Sequence, residues 1–509
     1  MAPQKIKSLT EILSTLKEER QSGQKVVHCH GVFDLLHPGH IRHLKEAKKQ
    51  GDKLVVSLTP DRFVNKGPGR PAFTEDLRLE QIAALGFVDY VVLNDTPDAV
   101  SIIKKIKPHV YVKGEEYSDH GADITGKISD ESKAVEEAGG HVHYTNDIVF
   151  SSSTLINNHF DSDAKRLKPF IDRIKAQFTV DEVVEKIDRL GDLKVLVVGD
   201  AIIDEYQYVS PLGQSGKGVH MTARCLDKEV FLGGSLIIAN HLANFAGEVT
   251  LLTAVGNNCP HLDFIQSRLN QGIRKEFIFC DKLPTLTKRR YVLKDGASIT
   301  KLFETYSSNE TLMDQAQTQT FIETLKKVSG EFDLVLVSDF GNGLINPEII
   351  QAISELPNFL AINTQINSGN RGYNVITNYH RADFISLNEP ELRLAAHDRY
   401  SRLETLAEDV GQILHCPEIS VTRGVAGILF YSAKDEPLTI PALTSHAIDR
   451  VGAGDSYFAL AALSAAKGYP PILSGFLGSV AAAIDVQIIG NKHEIQKTGF
   501  SKYVLRLLK

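Results

Sequence analysis

Short apolar runs alternate with amphipathic stretches along most of the chain, the pattern of strands alternating with helices. Lys25–Asp34 (KVVHCHGVFD) reads as a strand entering a glycine-containing turn. Helices are expected over His40–Gln50, Glu75–Leu85 and Asp98–Ile106, interleaved with strands over Lys53–Thr59, Val88–Leu93 and His109–Lys113. His141–Tyr144 adds a strand, and Ser151 to Phe160 a closing helix. Such alternation predicts a parallel sheet covered on both faces. Asp161–Leu190 is charged, helical in period and poor in glycine, and reads as a connector. A second strand–turn unit, Lys194–Asp204 (KVLVVGDAIID), opens a longer α/β series. Its further strands are expected at Val249–Ala254, Leu334–Ser338, Leu360–Asn363, Phe384–Leu387 and Ile419–Thr422. The expected organisation is a domain over 1–160, a helical linker over 161–190 and a large α/β domain over 191–509.

Length and composition agree with this division. The 509 residues exceed one ordinary core. Hydrophobic residues make up 42% and charged residues 23%, the profile of a globular protein. A formal net charge of -7 argues against nucleic acid as a partner. Cys29, Cys225, Cys259, Cys280 and Cys416 show neither pairing nor C-x-x-C spacing, which argues against a disulfide framework and a zinc site. The first twenty residues read as an amphipathic helix without the apolar region of a secretory signal, and no run is long enough to span a membrane. The expected location is the cytoplasm.

The first candidate site is Gly31-Val-Phe33-Asp34-Leu-Leu-His37-Pro38-Gly39-His40, between a strand and a helix. Pro38 suits a first helical turn, where its missing N–H costs nothing. Free amides and two imidazoles would then face one place, where they can meet phosphate oxygens and the charge that develops on them. Two surface histidines at a helix start is the plain alternative, and a metal site with only two such ligands is a weak one.

This segment resembles the H-x-G-H nucleotidyltransferases, the superfamily of glycerol-phosphate cytidylyltransferases and heptose-1-phosphate adenylyltransferases. Asn65-Lys66-Gly-Pro-Gly-Arg-Pro71 with Arg78-Leu-Glu80, then Val112-Lys113-Gly114, then Ser151-Ser152-Ser153-Thr154-Leu-Ile156 follow in that family's order. The resemblance implies a Rossmann-like domain with a parallel sheet. It implies that Gly31, Phe33, Asp34, Gly39 and Ser151–Thr154 bind nucleotide, that Lys66 and Arg78 bind substrate, and that His37, His40 and Lys113 are catalytic. The implied reaction is direct attack of a sugar-phosphate oxygen on the α-phosphorus of a nucleoside triphosphate, with Mg²⁺ on the departing pyrophosphate.

The second candidate site is Asp449-Arg-Val-Gly452-Ala453-Gly454-Asp455, entering a helix expected over Ser456–Ala466. Small residues let amides approach a phosphate, and Asp455 could accept the proton of an attacking hydroxyl. A helix cap after a glycine turn is the plain alternative. The segment resembles the signature of ribokinase-type sugar kinases, which implies a doubly wound α/β domain with a small β lid. In that likeness Asn388 and Glu391 meet nucleotide phosphate, with Glu391 placing Mg²⁺, and Thr422 and Gly424 belong to the nucleotide loop. Gly452, Ala453 and Gly454 form the anion hole and Asp455 is the base. Asp200, Asp204, Gly233, Gly234, Asp339 and Asp449 lie on the substrate side, with Ser338-Asp339-Phe340-Gly341-Asn342-Gly343 as a turn. A monovalent cation is also implied at the kinase site.

This chain departs from the pattern in places. The asparagine expected after the glycine pair is replaced by an apolar run, leaving Asn240 as the substrate-side candidate. Asn342 stands where the turn has lysine, and Asn363-Thr-Gln365 where heptose kinases have D-P-K. Gly213-Gln-Ser-Gly216-Lys217-Gly218 mimics a phosphate-binding loop, but its glycine spacing is too short and no Ser or Thr follows the lysine.

As a whole, the chain resembles bifunctional heptose-7-phosphate kinase/heptose-1-phosphate adenylyltransferases with the domain order reversed. The implied partners are a sugar phosphate and nucleoside triphosphates, in a homo-oligomer, with ATP at both sites and CTP as the alternative at the first. Two other readings stay open: active domains working on unconnected substrates, and a nucleotide-binding protein without catalysis.

Overall fold

The computed structural model describes residues 2–64, 71–114, 127–145, 162–295, 298–307, 311–370 and 372–508. The chain forms two compact units, Met1–Arg166 and Leu167–Leu508.

In the first unit the described strands are β1 (Val26–Gly31), β2 (Lys53–Leu58), β3 (Tyr90–Leu93), β4 (Val110–Gly114) and β5 (His141–Thr145). They form a parallel sheet in the order β3-β2-β1-β4-β5. Val27, Cys29, Leu54, Val56 and Val112 enter one core, and Val26, Val55, Val92 and Tyr111 the other. Burial on both faces explains why these strands read as unbroken apolar runs. The strand order reverses between β1 and β4, which opens a crevice at their carboxyl ends.

The second unit holds two sheets among the described residues. The larger contains β6 (Lys194–Gly199), β9 (Glu248–Gly256), β10 (Ile273–Cys280), β13 (Leu334–Asp339), β14 (Phe359–Thr364), β15 (Phe384–Asn388), β16 (Glu418–Thr422), β17 (Ile428–Ser432) and β18 (Leu438–Ile440). Its order is β10-β9-β6-β13-β14-β15-β16-β17-β18, parallel up to β16 and antiparallel beyond. Along β6 the side chains alternate between two cores: Val195 and Val197 in one, Leu196 and Val198 in the other. Here the order reverses between β6 and β13.

The smaller sheet is a lid, β12-β11-β7-β8, made of β7 (Ala201–Gln214), β8 (Met221–Gly234), β11 (Leu286–Asp295) and β12 (Ser298–Ser307). Much of its outer half is exposed and polar, so its strands carry no continuous apolar signal. The decoy 213–218 lies at the tip of the β7–β8 hairpin, where Lys217 is exposed.

The segment expected to act as a connector is helical but not free. Helices Ser162–Lys175 and Val180–Arg189 bury Leu167, Phe170, Ile174, Val183 and Ile187 in the same core as Val195 and Val197. Their apolar period therefore belongs to the second unit's packing. The closing helix expected over 151–160 lies outside the described residues.

Candidate active sites

In the first unit β1 ends at Gly31, and the chain turns into a helix over Pro38–Lys49. Phe33 takes a left-handed backbone with φ of 48°, uncommon for a bulky residue and a mark of local strain. Its ring covers Gly31 so closely that a Cβ there would lie 3.0 Å away. His37 caps the helix, its Nδ1 accepting the Gly39 N–H at 3.1 Å, with Pro38 in the first turn. A neutral His37 therefore carries its hydrogen on Nε2. The rings of His37 and His40 stack with centroids 3.8 Å apart, and Phe33 meets His40 edge-on. Asp34 is buried and accepts the Ala72 N–H.

β4 brings Lys113 to the other side of the crevice. Its Nζ lies 2.8 Å from Glu131, which also accepts the Tyr111 hydroxyl at 3.1 Å. Glu131 was missed in the sequence because it comes from a different helix, Lys127–Glu137. Arg78, expected on the substrate side, is wholly buried. It donates to the carbonyls of Phe73, Val32 and Thr59 and pairs with Asp61 at 2.6 Å, tying its own helix start to the turn after β1 and the segment after β2. Lys66, with 65–70, and Ser151, Ser152, Ser153 and Thr154 lie outside the described residues.

In the second unit Asp455 sits in the first turn of the helix Ala453–Ala466, after Gly452 in a left-handed conformation. It makes no hydrogen bond to any described residue. Burial, then the negative charge of Asp204, lift its carboxyl to about 7, with Lys288 opposing and Glu391 adding to the effect. The same helix N-terminus presents the amides of Ala453 and Gly454. A cleft of about 550 Å³ lies at the carboxyl ends of β15 and β16, lined by Asn388, Glu389, Thr422, Arg423 and Gly424 among others. Glu391 closes a capping box with Asn388 and also accepts the Ile366 N–H at 3.2 Å. Burial raises its carboxyl to about 7.

The lid side of this site contains Asp204 and the glycine pair. A Cβ on Gly233 would stand 2.5 Å from Asp204 Oδ2, so only glycine leaves that carboxylate its place. Gly234 is left-handed at φ +57° and lies against the Asp200 carbonyl. Asp200 and Asp339 are buried together and both titrate above the ordinary range, mainly through burial. Asp200 accepts the Phe340 N–H. Asp339 accepts from Gly341 N–H, Asn374 and the Tyr379 hydroxyl, so this pair holds the 339–343 turn.

Two further candidates are tied to protein partners. Asn240 is a clamp: its amide donates to the Arg268 carbonyl at 3.0 Å and accepts the Asn270 N–H at 2.9 Å. Asp449 accepts four hydrogen bonds, from Lys301, Tyr206, Val451 N–H and Gly490 N–H, which fills a carboxylate's acceptor sites. Sequence reading also missed Asp485 and Asn491. Both Asp485 carboxylate oxygens and Asn491 Oδ1 are buried without a hydrogen-bond partner among the described residues. They lie under Gly452, where a Cβ would meet them at 2.8 and 2.1 Å.

These units define an α/β protein with two nucleotide-type crevices, each where parallel strands meet a helix N-terminus. Residues 192–497 match the pfkB family of carbohydrate kinases, and the chain belongs to that family. Residues 28–159 match the cytidylyltransferase-like family, so a nucleotidyltransferase domain is joined to the sugar kinase. The N-terminal region is similar to the bifunctional protein HldE of Ectopseudomonas mendocina, at 38% identity over 156 residues, 29% of this chain and 30% of that protein. It is also similar to HldE of Campylobacter jejuni subsp. doylei, at 43% over 129 residues, 24% of this chain and 27% of the relative. The chain thus matches less than a third of the length of these relatives. In fold, the second unit is similar to phosphofructokinase-2 of Escherichia coli in complex with potassium, with TM-score 0.51 and 13% identity, covering 62% of this chain and all of the other. The same enzyme has been solved as a tetrameric inhibited form, with TM-score 0.50, 13% identity and the same coverage.

Proposed function

We propose that the C-terminal domain phosphorylates a sugar phosphate of the heptose-7-phosphate type at its anomeric oxygen. The N-terminal domain then joins the resulting 1-phosphate to a nucleotidyl group from ATP, giving a nucleoside-diphosphate sugar for a surface glycan. The observation that carries the kinase half is Asp455: a carboxylate without a hydrogen bond to any described residue, at a helix N-terminus, with its carboxyl lifted to about 7. In this reading Asp455 takes the proton of the anomeric hydroxyl. The freed oxygen bonds the γ-phosphorus, the bond to the bridging oxygen breaks, and ADP leaves. Ala453 and Gly454 amides face the transferred phosphoryl group, and Asp204, between Gly233 and Arg290, orients sugar hydroxyls. The nucleotide occupies the cleft lined by Asn388, Thr422 and Gly424.

Mg²⁺ fits with one protein carboxylate plus nucleotide phosphates, and Glu391, one of two acids whose charge acts on Asp455, would hold it, supplying charge neutralisation. A monovalent cation fits the three unpartnered oxygens of Asp485 and Asn491, where it would offset buried negative charge beneath Gly452. At the first site, His37 Nε2–H, His40 and Lys113 would stabilise charge at the α-phosphate of the nucleoside triphosphate, with no covalent intermediate. We place the protein in the cytoplasm, where triphosphates are abundant, as a homo-oligomer; the tetramer solved for a fold relative supports assembly. The test is turnover of the intact chain with ATP and a panel of sugar phosphates, reading ADP and pyrophosphate separately. ADP release with any acceptor supports the kinase half. Pyrophosphate only with CTP would replace ATP at the first site.

A further inference from the structure

The central lid strand β11 points Lys288 and Arg290 the same way, two residues apart. Lys288 stands opposite Asp204 on β7 and Tyr306 on β12, and Arg290 opposite Tyr206 and Glu304. The two cations differ in their partners. Arg290 is held by Asp204 and by Glu304 at 3.2 Å. Lys288 is equally buried, yet no carboxylate lies within ion-pair distance among the described residues. Its one hydrogen bond among the described residues is a long one, 3.3 Å to the neutral Gln365 Oε1. The Phe340 and Tyr306 rings lie 5.0 and 5.5 Å from the ammonium. An ammonium has three donors, so two remain for a ligand. Burying such a cation unpaired is costly unless something anionic joins it.

We propose that Lys288 is the anion receptor of the kinase's acceptor pocket: its ammonium binds the phosphate that the acceptor sugar already carries, and so selects sugar phosphates over free sugars. This rests on the kinase reading above. The placement favours the acceptor over the nucleotide as the source of that phosphate. Lys288 shares its lid row with Asp204 and reaches Gln365 just past β14, whereas the nucleotide cleft is lined from the ends of β15 and β16. Planar aromatic walls beside the ammonium exclude water and strengthen the charge–charge attraction.

The test compares kcat/KM of the intact protein for ribose 5-phosphate, glucose 6-phosphate and sedoheptulose 7-phosphate with that for the corresponding free sugars. Lys288→Gln and Lys288→Met should each lower the phosphorylated-to-free ratio about 10- to 100-fold, the range of one charge-assisted hydrogen bond. Lys288→Arg should recover much of it. Two variants of different polarity guard against one that fails to fold. An unchanged ratio with a raised KM for ATP assigns Lys288 to the nucleotide and overturns the proposal. An unchanged ratio with a uniform fall in kcat overturns it too, leaving Lys288 a purely electrostatic neighbour of Asp455. If the wild-type protein transfers phosphate to no sugar of either kind, the kinase reading itself falls.

Discussion

His37 and His40 stack ring on ring, centroids 3.8 Å apart and planes 26° from parallel, because His37 caps the helix that carries His40. One hydrogen bond, from the Gly39 backbone N–H to His37 Nδ1, thus sets both the orientation and the tautomer of the first imidazole.

Replacing either histidine by alanine should therefore slow nucleotidyl transfer about 10²- to 10³-fold, the usual cost of losing one donor to developing charge. The double variant should fall little further, because the rings act as a unit. His37→Asn keeps a cap acceptor but lacks the Nε2–H, so it should melt like the wild type yet remain slow. Pyrophosphate release and circular dichroism check both points; kinase output should not change.

Asp455 sets the pH response of the other site. Its carboxyl is lifted to about 7, chiefly by burial, so the ionised base is lost as pH falls through 7 rather than through the ordinary aspartate range near 4. Kinase kcat/KM should fall about tenfold per unit below pH 7 and level off above it. Asp455→Asn should cost about 10²- to 10⁴-fold and remove that acidic limb. A profile flat down to pH 5 would exclude Asp455 as the titrating base.

Asp485 bears on cation dependence. Burial first, and then the charges of Asp455 and Asp449, disfavour its ionised form. The folded-state pKa is raised, so its contribution to stability is greatest at low pH and declines as pH rises above the unfolded value. A cation would reverse that loss. At neutral pH the wild type should melt several degrees higher in potassium than in tetramethylammonium chloride. Asp485→Asn should melt alike in both and above the wild type in tetramethylammonium. Equal wild-type melts would mean that no cation is held beneath Gly452.

Arg78 separates a structural role from a binding one. Removing its guanidinium leaves the part-buried carbonyl of Val32 and the buried one of Thr59 without that donor, so Arg78→Met should destabilise the protein by about 3 kcal/mol in urea unfolding. The acceptor KM of the folded fraction should stay as in the wild type. A large rise in KM without loss of stability would return Arg78 to the substrate.

Much of the fold and of both nucleotide crevices was legible in the amino-acid order, for a local reason. Strand runs such as Val195–Val198 are buried on both faces and so are continuously apolar. A turn suited to phosphate needs glycine and a helix start close together in the chain, and Gly31–Gly39 and Gly452–Gly454 each have both. Capping residues such as Asn388 and Glu391 act on their own turn and can be read from spacing alone.

What only the tertiary structure decided is which charged side chains meet. Lys113 finds Glu131, Asp449 finds Lys301 across 148 positions, and Arg290 finds Asp204 across 86, while Lys288 near it finds no carboxylate among the described residues. The arginine at 78 and the asparagine at 240 have their polar groups taken up by protein partners from other segments. A residue's type and neighbours in sequence fix its local conformation. The burial and pairing of its charge depend on strands and helices far away in the chain, and those determine whether it holds the fold together or stays free for a ligand.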